Sequence, residues 1–107
     1  MPHISIVLYP NNPGNTFDMK YYIDTHMPLV QENWGPFGLE KWQVIEYEGA
    51  EDAARTPYTV SAILTWKDAA AVKAALASPA SQTVFNDVPK FSNQTPVFMS
   101  APIIKET

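Results

Sequence analysis

The chain has 107 residues, 46% of them apolar, and a net charge of −4, so it is long enough for one domain with one core and too apolar to be disordered. The seven Lys and Arg residues are scattered, which excludes a nucleic-acid surface and a basic membrane-binding helix. Absence of cysteine removes disulfides, thiolate nucleophiles and cysteine-ligated metals. No apolar run reaches membrane-span length and no signal peptide is visible, so a cytoplasmic protein is expected.

His3 to Tyr9 alternates Ile4, Ile6 and Leu8 against His3, Ser5, Val7 and Tyr9, the period of a strand. Pro10 to Asn15 is a loop by turn chemistry. Thr16 is placed to cap a helix from Phe17 to His26. Pro28 has no N–H and its ring clashes with the carbonyl of Asp24, so that helix is expected to stop or kink near His26. A second short helix then begins at Pro28 and carries Leu29 and Val30 towards Trp34. Gly35-Pro36-Phe37-Gly38 ends it.

Leu39 to Tyr47 reads as a second strand and Glu48 to Pro57 as a loop. Tyr58 to Trp66 is the clearest strand, with Tyr58, Val60, Ala62, Leu64 and Trp66 on one face. Asp68 caps an alanine-rich helix to about Ser78. A short helix is expected around Gln82 to Val88, and a last strand over Pro96 to Ile104.

The order strand, helix, strand, strand, helix, strand predicts an α+β domain of the ferredoxin-like split βαβ kind (βαββαβ). Its four-stranded sheet is antiparallel, with the helices on one face. The other face is expected to carry Ser5, Val7, Tyr9, Ser61, Ile63 and Thr65. Two such mixed faces brought together form a barrel with a partly polar chamber, and a symmetric homodimer is expected.

His26 is the main catalytic candidate. An imidazole at a helix C-terminus feels the negative end of the dipole, which favours the proton, while burial opposes it. That balance puts its titration near neutrality and suits a general acid/base. The competing reading is a capping histidine that bonds its own helix end. Tyr22, four residues earlier, is placed to orient the imidazole or hold a substrate carbonyl, or else to pack on the sheet. Tyr21 points elsewhere. Tyr9, Trp42 and Trp66 are candidates for substrate contact, each with a packing alternative, and Trp34 reads as a packing anchor. His3 reads as a strand-end residue without a role. Two isolated histidines give no metal-ligand spacing, and neither a phosphate-cradling loop nor a nucleophile elbow is present.

The stretch Phe17…Tyr21-Tyr22-x3-His26-x-Pro28-Leu29-Val30, with Trp34-Gly35-Pro36 and Gly38-Leu39, resembles the EthD family, named for a protein required for ethyl tert-butyl ether degradation. Ala75-Leu76-Ala77-Ser78-Pro79 and Asp87-Val88 with Phe91 extend the resemblance over nearly the whole chain. It implies a dimeric α/β barrel on a ferredoxin-like fold, without organic cofactor or metal. Relatives of that barrel include isomerases, cyclases, decarboxylases and quinol-forming monooxygenases. Haem-degrading relatives carry an asparagine on the first strand and a histidine on the second helix, and this chain has neither. The expectation is therefore a cofactor-free enzyme of small-molecule or xenobiotic catabolism, acting on an apolar or aromatic compound through His26. The alternative is a non-catalytic accessory protein that holds such a ligand for an oxygenase.

Overall fold

A computed structural model describes residues 2–107. Four strands, β1 (His3–Pro10), β2 (Leu39–Glu46), β3 (Tyr58–Trp66) and β4 (Val97–Pro102), form one antiparallel sheet in the order β2-β3-β1-β4. This is the order of the split βαβ arrangement, and the predicted α+β class holds. The helical layer holds α1 (Met19–Tyr21), α2 (Met27–Trp34), α3 (Ala69–Ala77) and α4 (Ala80–Asn86). Alternation places Val60, Ala62, Leu64 and Trp66 of β3 under these helices, all buried in one core with Met27, Val30, Trp34, Val72 and Ala75. Asp68 caps α3 as expected, its Oδ1 accepting from the Ala71 N–H at 2.9 Å.

The first helix departs from expectation in two ways. Its cap is Asp18, not Thr16: Asp18 Oδ1 accepts from the Tyr21 N–H at 3.1 Å, whereas the Thr16 N–H donates to Asn93 Oδ1. Nor does the helix end at His26. It passes through a five-residue π-helical segment, Tyr22–His26, straight into α2, and Met27 is helical at φ −65°, ψ −39°. The Met27 N–H donates to the Tyr22 carbonyl five residues back. That wider turn gives the Pro28 ring room while Pro28 occupies the first turn of α2, where its missing N–H costs little. Single π turns of this kind are frequent at functional sites.

The parity of β1 is opposite to the one expected. Ser5, Val7 and Tyr9 pair with Leu64, Ala62 and Val60, so they lie under the helices. Ser5 is satisfied there: its hydroxyl meets Ser100 Oγ at 2.6 Å and accepts from Trp66 Nε1 at 2.9 Å. The open face instead carries Ile4, Ile6 and Leu8 beside Ile63, Ile45, Val97 and Met99. None of these joins the core, and Met99 is 52% exposed. β3 does turn Ser61, Ile63 and Thr65 to the open face as expected, but β1 sets an aliphatic stripe beside them in place of Ser5, Val7 and Tyr9.

Candidate active site

Continuity of the helix brings His26 inward. Its imidazole is 3% exposed and lies on the helix side of the sheet, among Tyr22 and Phe91. Tyr22 stacks on it with ring centroids 5.3 Å apart and planes at 13°. Phe91 sits at 4.5 Å and 50°. Phe17 and Tyr9 complete the aromatic cluster through edge contacts to Tyr22.

The polar partner is Asp87, at the C-terminal end of α4. His26 Nδ1 and Asp87 Oδ2 are 2.9 Å apart and both side chains are buried. The other carboxylate oxygen accepts from the Tyr21 hydroxyl at 2.8 Å, and Lys90 Nζ stands 3.6 Å from it. Burial lowers the pKa of His26 below its ordinary 6.5, although the hydrogen bond and charge of Asp87 oppose it. Burial would raise Asp87, but the hydrogen bonds from His26 and Tyr21, with Lys90 nearby, outweigh it and hold its carboxyl low. At neutral pH the pair is therefore aspartate with neutral imidazole. Nδ1 carries the proton towards Asp87, and the lone pair resides on Nε2, for which no protein partner stands among the described residues. The dipole argument from sequence does not apply, because the helix does not end here; burial decides the direction.

His26, Tyr22 and Tyr9 line one cavity between the helices and the sheet, with Met27, Trp34 and Leu64 among its apolar walls. Its volume is about 20 Å³, space for a single water. Burial drives the Tyr9 and Tyr22 hydroxyls far above the ordinary phenol range, so they stay protonated.

Trp42 and Trp66 stand apart from this cavity. Trp42 lies on the helix-side face of β2 beside Leu64 and packs at the edge of the core. Trp66 is buried, spends its N–H on Ser5 and rests against Trp34 at 5.5 Å. Sequence reading placed Asp87 within the EthD-like pattern but gave it no role at the site. Its signal was faint: it is the single charged residue between Ser78 and Val88. Tyr21, set aside from sequence, proves to be a ligand of that carboxylate.

Solved structures of the same fold are known. An EthD-like protein from Ralstonia eutropha JMP134 superposes with a TM-score of 0.80 and 22% identity, covering 99% of this chain and 95% of that one. An EthD family protein from Bacillus halodurans C-125 gives 0.70 and 20%, over 97% and 100%. A dimeric ferredoxin-like protein of unknown function from Jannaschia sp. CCS1 gives 0.64 and 17%, over 96% and 100%. No protein-family model matches the chain, and no curated protein matches it. The chain thus has the ferredoxin-like fold found in EthD-like proteins, as the sequence resemblance implied.

Proposed function

We propose that this is an EthD-like protein that catalyses proton transfer on a small apolar or aromatic compound, with His26 as general acid/base. The observation that carries the reading is the buried His26–Asp87 pair, 2.9 Å apart, set against an otherwise apolar cavity. Asp87 fixes the tautomer and stabilises the imidazolium once it forms. Nε2 takes a proton from a carbon or hydroxyl of the substrate, and the freed electron pair moves into the substrate's conjugated carbonyl. The imidazolium then returns the proton at another atom of the same molecule. This is an isomerisation or a cyclisation, balanced without oxidant or reductant. A positioned acid/base of this kind contributes about 10²–10⁴-fold.

The aliphatic open face supports a homodimer in which two sheets pack through Ile4, Ile6, Leu8 and Ile63. Patches of this kind mark interaction sites, and the Jannaschia neighbour is described as dimeric. In such a pairing Ser61 and Thr65 lie among the aliphatic side chains of the seam, and each subunit keeps its own site on the helix side.

The small, largely apolar cavity also favours a second reading, that of an accessory protein that holds a ligand without turning it over. Deuterium exchange separates the two. Purified protein in D₂O is incubated with small hydroxylated aryl ketones and with ether-derived alcohols, and carbon-bound deuterium is read by mass spectrometry. Catalysed exchange that disappears in His26→Gln while the variant still folds supports the enzyme. Binding with exchange no faster than in buffer leaves the accessory role.

A further inference from the structure

Two observations lie outside the His26 chemistry. Trp34 lines the same cavity and is 1% exposed, and its buried indole N–H has no hydrogen-bond partner among the described residues. Buried donors are almost always paired, and an orphan in a native site calls for an acceptor from elsewhere. The neighbouring rings of Trp66, Phe85 and Phe98, at 5.5, 5.8 and 6.2 Å, offer only the weak acceptor of an aromatic face. The second observation is the wall itself. Phe85, Val88 and Pro96 line the inner cavity and also a groove of about 440 Å³ on the outside. Phe85 stands in that wall, edge-on to Trp34 and Phe98, yet is 38% exposed.

Resting on the proton-transfer reading, we propose that Phe85 is the movable plug of a ligand site in which Trp34 Nε1–H is the oxygen anchor. The ligand is a flat, uncharged compound with an acceptor oxygen at one end and its labile proton at the other. Outward rotation of Phe85 joins the water-sized cavity to the groove and uncovers the indole N–H. A carbonyl or ether oxygen then takes the place of the Phe85 ring against it. Apart from His26, neutral at rest, the walls formed by Val7, Met27, Val30, Leu64 and Val84 carry no charge, which disfavours an ionic ligand on desolvation grounds. His26 and Trp34 lie on one helical run, about 12 Å apart along its axis at the usual rise per residue.

The test is a ¹H–¹⁵N titration with 4′-hydroxyacetophenone, and with 4-ethyltoluene as its oxygen-free counterpart. Trp34→Phe identifies the Trp34 indole resonance, and the His26 Cε1–H is followed in the same samples. The ketone is expected to shift the Trp34 N–H saturably, and the hydrocarbon to leave it in place. Trp34→Phe is expected to weaken ketone binding about 3- to 10-fold, the range for one hydrogen bond. Phe85→Ala is expected to speed association, and an unchanged or slower rate overturns the plug. Ketone binding that moves His26 but not the Trp34 N–H overturns the anchor alone. If neither responds, the anchor falls and the His26 reading falls with it.

Discussion

The two faces of the sheet solve different problems with similar sequence. Under the helices, β1 presents Ser5, Val7 and Tyr9, and its buried polar groups are engaged: Ser5 bridges Trp66 and Ser100, and Tyr9 joins the ring cluster around His26. On the open side the same strand presents Ile4, Ile6 and Leu8, half-buried and outside the core. The more polar stripe is the buried one. Hydrophobicity alone does not say which face is core: a buried polar group is tolerated where its partner is ready, and an exposed aliphatic stripe is tolerated where another surface covers it.

Adjacent residues of β3 put that contrast to its strongest test. Leu64 is under the helices and Ile63 is on the open face. Leu64→Lys buries an unpaired ammonium in the core, and no cooperative thermal transition is expected by circular dichroism. Ile63→Lys should keep a native spectrum and sediment as a monomer, whereas the proposed pairing predicts a dimer for the parent. A dimer that survives Ile63→Lys removes the open face as the seam. Within the site, His26→Ala deletes a packed ring and strips Asp87 of a donor, for an expected loss of about 2–4 kcal/mol in urea unfolding. Asp87→Ala leaves Nδ1–H and the Tyr21 hydroxyl without their acceptor, and should cost about 1–3 kcal/mol. Equal stability in both variants would show that the pair is ornamental to the fold.

Acidity distinguishes the faces more gently. His26 is held below 6.5 in the folded protein, so the unfolded chain binds more protons as pH falls from 6.5 towards the depressed value. Stability is therefore full above about pH 6.5, where the imidazole is neutral in both states, and declines through that window. Asp87 is also held low, so its contribution is present above 3.8 and is lost with further acidification. Denaturant midpoints measured across this range should fall for the parent, and His26→Gln should remove the higher-pH part of the decline. The aliphatic face carries no titrating group among Ile4, Ile6, Leu8 and Ile63, so Ile63→Lys leaves that part of the profile of the folded chain in place.

What was legible in the sequence divides along physical lines. β3 and α3 could be read almost to the residue, because one has a strict alternation and the other has Asp68 at its start. β1 could be found but not oriented, since both of its stripes are apolar enough for a core. Pro28 read as a stop because the rule counts the lost hydrogen bond and the clash; a π turn relieves the clash, and the first turn of α2 does not need the N–H. His26 stood out by type and position. Asp87 did not, because its meaning depends on a contact across 61 positions that only the packing of α4 on the long helix creates.

The smallest effect expected is also the most specific to the site. Tyr21 and His26 share one carboxylate, each on its own oxygen. The Tyr21 hydroxyl draws charge from Asp87 and so weakens its hold on the imidazole. Tyr21→Phe removes that donor, makes the carboxylate a stronger partner and should raise the His26 pKa. Asp87→Asn removes the charge altogether and should lower it further below 6.5 than in the parent. The Asp87→Asn shift should be the larger of the two, because a full charge outweighs one hydrogen bond. Proton NMR titration of the His26 Cε1–H reads both directions in folded protein. Shifts of the same sign in the two variants would mean that the Tyr21 bond does not tune the pair, and that burial alone sets the state of His26.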